Sequence, residues 1–164
     1  MPPAAPGTPP HGPTPPPGYP TRDPHAIGLA VARLGGGSRR AAKVALAVLA
    51  SSLGEGDVVE AIVQGRFRNE AGVAALVGTK VVLVNDARWK PDVVVLPVGP
   101  SLQVQGWQDD RKASLTFVLP GGHERIEEIF DRPLAIEMAQ RIRDRVAIVA
   151  AQAQAQTPPP GSTA

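Results

Sequence analysis

The chain has 164 residues, no cysteine, six aromatic side chains and a formal charge of +2 from 17 basic and 15 acidic residues. Without thiols there is no disulfide framework and no thiolate metal site, which fits a reducing compartment. Charges of both signs are interspersed, so no basic stripe marks a nucleic-acid footprint and nucleic acid is disfavoured as a partner. The start, Met1-Pro2-Pro3-Ala4, lacks the basic segment and apolar run of a secretory signal. The longest apolar stretch, 41–53, contains Lys43 and falls short of the ~20 residues that cross a bilayer. A cytoplasmic location is expected, with peripheral attachment to the membrane as the alternative.

Residues 1–24 carry eleven of the 19 prolines and too few large apolar side chains to offset ordering entropy, so they read as a disordered tail. Pro13-Thr14-Pro15-Pro16-Pro17 has the composition of a polyproline II segment able to dock in an aromatic groove. Residues 25–54 read as two helices. Ile27, Ala30, Val31 and Leu34 form a helical stripe, Gly35-Gly36-Gly37 breaks it, and Ser38 is placed to cap a second helix. That helix carries Ala41, Val44, Ala45, Val48 and Leu49 on one face and stops near Gly54.

After Gly54 the period shortens. Seven strand-like runs follow, at about 57–67, 71–78, 80–85, 92–98, 101–108, 112–119 and 123–130. In the first, Val59, Ala61, Val63 and Phe67 alternate with Glu60, Gln64 and Arg66, which predicts one buried and one wet face. Asn69-Glu70, Gly78-Thr79, Asn85-Asp86, Gly99-Pro100, Asp109-Asp110 and Gly121-Gly122 supply turn residues between runs, so consecutive strands are expected to pair antiparallel. Asp131 is placed to cap a last helix with Pro133 in its first turn. Its core stripe is Leu134, Met138, Ile142, Val146 and Val149, with Arg141, Arg143 and Arg145 on the exposed sides and fraying after Ala150. Residues 153–164 read as a second disordered tail.

Seven antiparallel strands closed by one amphipathic helix is the order of the pleckstrin-homology (PH) fold. The stretch Gly54-Glu55-Gly56-Asp57-Val58-Val59-Glu60 through Gln64-Gly65-Arg66-Phe67 resembles the first strand of bacterial PH-like domains. Gly72-Val73-Ala74-Ala75-Leu76-Val77-Gly78-Thr79-Lys80 through Asn85 is similar to their second and third strands, with Thr79 and Lys80 at the tight turn. The resemblance covers roughly residues 40–150. It implies an α+β, mainly β fold over 55–152: a PH-like seven-stranded antiparallel barrel with N-terminal helices and a C-terminal capping helix. It implies a scaffold for phospholipid headgroups, peptides or protein partners, and it carries no catalytic residue. Members that bind phosphoinositides present several cations from the first hairpin loop, because several phosphates need several donors. Here that loop offers Arg66 and Arg68, followed by Glu70, with Lys80 expected nearby.

Sites for chemistry are scarce. His11 and His25 fall in or beside the tail, and His123 with Glu124 supplies at most two metal ligands, so no metal or cofactor is expected. Ser114 has no histidine and acid at a spacing that would activate it. Asp109 and Asp110, next to Arg111 and Lys112, have the composition of a hairpin turn, and Glu127 and Glu128 read as an exposed strand end. Gly35-Gly36-Gly37-Ser38-Arg39-Arg40 could hold a phosphate at a helix start, or serve only as a capped joint. Arg88-Trp89-Lys90 suits a lipid interface or an acidic partner unless the indole folds back over the barrel rim. Trp107, at a strand end, reads as core or rim.

The chain is therefore read as a non-enzymatic binding or scaffolding module engaging a protein partner. One alternative is a peripheral binder of anionic membranes using Arg66, Arg68, Arg88, Trp89 and Lys90. Another is self-assembly through Ile27, Val31 and Leu34.

Overall fold

The computed structural model describes residues 23–158 and 160–161. The readings made for 1–22 and for the last residues of the second tail lie outside the described residues. Two helices lead, α1 (Ile27–Ala32) and α2 (Gly36–Ser52). Seven strands follow: β1 (Val59–Phe67), β2 (Glu70–Val77), β3 (Lys80–Asn85), β4 (Val93–Pro97), β5 (Gln103–Gln108), β6 (Ala113–Leu119) and β7 (Gly122–Ile129). The last element, α3 (Arg132–Ala155), continues past the fraying expected after Ala150 and into the segment read as tail.

All seven strands form one antiparallel sheet in the order β4-β3-β2-β1-β7-β6-β5. The hydrogen-bonded ladder does not close on itself, in contrast to the expected barrel: β4 and β5 are free edges. The sheet nevertheless bends around one core, which takes side chains from every strand and from Ala135, Met138, Ala139 and Ile142 of α3. β1 meets β7 through only two residue pairs, Arg66 with Glu127 and Phe67 with Ile126. Gly65 makes that crossing possible, because a Cβ there would collide with the Glu127 carbonyl oxygen and crowd Ile129.

A second apolar layer covers the outer face of β1–β3. Ala42, Ala45 and Leu49 of α2 and Leu34 pack on Val59, Ile62, Val73, Ala75, Val77, Val82 and Val84. β2 and β3 are thus buried on both faces, which explains their nearly unbroken apolar runs. The expected wet face of β1 is largely covered: Gln64 is buried and Glu60 half-buried. A register shift between Val59 and Ala61 moves Val59 into the outer layer while Ala61, Val63 and Phe67 stay in the inner one.

Several local expectations change. Ser38 does not cap α2; Gly35 holds the N-cap position, without a side-chain cap, and Ser38 is buried in the first turn. The buried stripe of α2 runs Ser38, Ala42, Ala45, Leu49, leaving Ala41 exposed and Val44 turned outward. Small alanines on that line let the helix lie close to the valine-rich sheet. Asp131 precedes α3 but accepts a hydrogen bond from the Gly35 amide at 3.1 Å, tying the start of α2 to the start of α3. Asp23, read as tail, accepts from the amides of Ile27 and Gly28 at 2.9 and 2.6 Å and so caps α1. Arg145, expected to be solvated, is half-buried, donating to Glu60 and to the Gly78 carbonyl.

Candidate binding site

The sequence of β5, Gln-Val-Gln-Gly-Trp-Gln, places one core residue, Val104, on an otherwise exposed strand. Residues of an antiparallel strand alternately direct both backbone groups toward and away from the neighbour. The Asp109 amide bonds the Lys112 carbonyl at 2.9 Å, closing the β5–β6 hairpin, and the register then pairs Trp107 and Gln105 with β6. The alternate residues Val104, Gly106 and Gln108 direct their amides and carbonyls outward. Arg143 of α3 donates to the Val104 carbonyl at 3.2 Å, as this alternation requires. Among the described residues nothing bonds the outward groups of Gly106 and Gln108.

Beside this edge lies a cleft of about 190 Å³. Gly106 and Leu115 on the sheet face Ala135, Ile136, Ala139 and Arg143 on α3 across it. It is open because Gly106 has no side chain and α3 presents two alanines. Ile136 is 55% exposed at its rim, and Trp107 stands beside the same edge at 56% exposure, so Trp107 is not a core residue.

The residues expected to bind fall in different places. Arg68 and Asn69 form the two-residue β1–β2 turn, both with positive φ, 51° and 67°. Arg68 bridges Asp92 at 3.2 Å and Glu124 at 2.6 Å and lies over the Phe67 ring, and the hydrogen bond it donates to Glu124 raises its pKa above the ordinary guanidinium value. It ties three segments together rather than standing free. Arg66 donates to the Asn69 carbonyl at 3.0 Å and lies 3.8 Å from Glu128. Lys80 is not near this turn. It sits at the other end of β2, on the order of 23 Å of strand away, bound to Asp57 at 2.8 Å, and that ion pair lowers the Asp57 pKa.

Arg88, Trp89 and Lys90 occupy the β3–β4 loop, and the indole is not folded back: Trp89 is 96% exposed. The loop is held from beneath by Asn85, which is fully buried. Its Oδ1 accepts from the amides of Ala87 and Asp92, and its Nδ2 donates to the Phe67 carbonyl and to Asp92. Among the described residues neither Arg88 nor Lys90 forms an ion pair.

Ile27, Val31 and Leu34 pack on the chain's own outer layer. Asp109 accepts from the amides of Arg111 and Lys112, both at 2.8 Å, which lowers its pKa and fits its reading as a turn residue. Ser114 is buried opposite Trp107, while His123 pairs with Val118 several residues along the ladder. Gly106, Ile136 and the free edge of β5 were not singled out from sequence. A glycine inside a strand was the available signal.

No protein-family model matches the chain, and no curated protein matches it. No helix among the described residues is long and apolar enough to cross a membrane.

Proposed function

We propose that this chain is a non-enzymatic, PH-like binding module that takes an extended segment of a protein partner as an eighth strand along β5. The carrying observation is the free edge at Gly106 and Gln108 beside the cleft under α3. Main-chain hydrogen bonds to such an edge supply affinity, and alternate side chains supply specificity. One side chain of the added strand would enter the cleft over Gly106 and the next would lie on the Trp107 side. The PH-like reading is supported by the succession of seven antiparallel strands and a closing helix around one core.

Selection from a displayed library of short extended peptides, followed by titration of the recovered peptides, tests this reading. Gly106→Pro removes the outward amide while leaving the bonds to β6 intact. It is expected to weaken binding at least about tenfold, the loss of roughly one or two edge hydrogen bonds, with the fold unchanged by circular dichroism. Peptides that bind wild type and Gly106→Pro equally well would remove the proposal.

A second reading rests on Trp89, held out on a braced loop between two cations that form no ion pair among the described residues. Anionic lipid attracts each such cation by about 1 kcal/mol, and an indole suits the membrane interface. Co-sedimentation with phosphatidylserine vesicles at low salt is expected to fall several-fold in Trp89→Ala and to be unaffected by Gly106→Pro. Equal co-sedimentation of Trp89→Ala and wild type would sink this reading.

A further inference from the structure

At the other end of the sheet from β5 lies a second free strand, β4, and among the described residues no element runs beside its outer edge. We infer that β4 pairs with β4 of a second copy of this chain, antiparallel about a two-fold axis, joining the two sheets into one. The Val98 amide bonds the Thr79 carbonyl at 2.8 Å and the Asn85 amide bonds the Asp92 carbonyl at 3.1 Å, so Asp92, Val94, Leu96 and Val98 direct their backbone groups toward β3. Val93, Val95 and Pro97 therefore direct theirs away from the sheet. The side chains of these valines continue the outer apolar layer. Val95 stands opposite Val82 and Val93 opposite Val84, both members of that layer, but α2 covers it only over β1–β3. Val93 is left 42% and Val95 55% exposed.

Free edges are ordinarily protected from pairing by charged side chains. No charged residue lies between Asp92 and Asp109, so β4 has no such guard. What it has is a pattern that its own copy matches. An axis through Val95, the middle residue of β4, sets Val95 opposite Val95 of the second copy and Val93 opposite Pro97 of the second copy. The two Val95 residues then exchange amide-to-carbonyl bonds, and each Val93 amide meets a Pro97 carbonyl. Pro97 has no amide of its own, so every outward N–H of both strands finds an acceptor, and only the Val93 carbonyl is left to solvent.

The exposed valines meet across the axis and extend the apolar layer from one copy into the next. β5 of a second copy fits less well, because its exposed face carries Gln103, Gln105 and Trp107 and its Val104 carbonyl is already held by Arg143. The Arg88–Lys90 loops of the two copies come to lie at opposite ends of the paired strands, so like charges do not meet. One pair of five-residue strands buries less than the roughly 1,000 Å² of a lasting interface, which makes the dimer weak, with Kd on the order of 0.1 mM.

Sedimentation equilibrium of the full chain from about 10 μM to about 1 mM tests this. A monomer–dimer equilibrium with no larger species is expected, because a two-fold contact closes on itself. Val95→Lys and Val95→Glu, at an exposed position, each set like charges across the axis and are expected to weaken the dimer on the order of tenfold. An equimolar mixture of the two variants is expected to recover association, since opposite charges then face each other, and this recovery also shows that both variants are folded. Gly106→Pro is expected to associate like wild type, which keeps this contact separate from peptide binding at β5. A chain that stays monomeric at about 1 mM would overturn the inference. So would growth into open polymers, association unchanged by Val95→Lys, a mixture no stronger than either variant alone, or loss of association in Gly106→Pro.

Discussion

Six of the eight residues of β2 are buried, against one of six in β5. Both strands pair antiparallel, yet β2 lies between two apolar layers and has neighbours on both sides, whereas β5 ends the sheet beside the cleft under α3. Where two layers compete for one strand, every side chain is fixed by packing and none is left for a ligand. At the edge, packing asks only for Val104, and the strand keeps backbone groups and a tryptophan on the surface. Stability and binding are therefore expected to separate along the sheet.

The largest expected effect tests that separation directly. Phe67→Ala, at a fully buried side chain of the inner core, is expected to cost about 3–5 kcal/mol through lost burial and the cavity left behind. Trp107→Ala removes an even larger side chain and is expected to cost under about 1 kcal/mol, because the indole is more than half solvated. Urea denaturation of both variants measures the difference. If Trp107→Ala proves as costly as Phe67→Ala, the β5 edge is part of the core and the comparison fails.

What was legible in the sequence follows the same division. The seven strands and their turns could be read because each run is bounded by residues that turns require, such as Gly78-Thr79 and Gly121-Gly122. Alternation misled in β1: a one-residue irregularity after Val59 exchanges the faces, and Gln64 reads as exposed in a pattern that cannot show a helix lying over it. The α2 stripe was read one position off at its start, since Val44 outweighs Ala42 in hydropathy while the sheet selects the smaller residue. The candidate site was harder to read. Free edges depend on which strands end the sheet, and the separation of Lys80 from Arg68 depends on hairpin register. The exposure of Trp89 depends on Asn85, a buried staple that reads in sequence as a turn residue.

The smallest expected effect concerns how firmly the outer layer is joined to the inner one. Glu137 of α3 binds Arg33, at the end of α1, at 2.6 Å and Arg141 of its own helix at 3.0 Å. Arg33 foremost holds its carboxyl down to about 2 from the usual 4.5. A carboxyl whose folded pKa is depressed stabilises the fold fully above its unfolded value, and that stability is lost as pH falls through its folded value. The window is therefore about pH 4.5 down to about 2. Because these side chains are partly solvated, the contribution is about 0.5–1 kcal/mol, well below what the shift alone would give. Glu137→Gln should lower the melting temperature slightly at pH 7 and lose that part of the acid sensitivity, as a pH series of thermal melts would show. Identical pH profiles for the two proteins would mean that Arg33 and Glu137 do not hold α1 to α3. The outer layer would then be joined to α3 by apolar contact and the single Gly35–Asp131 hydrogen bond.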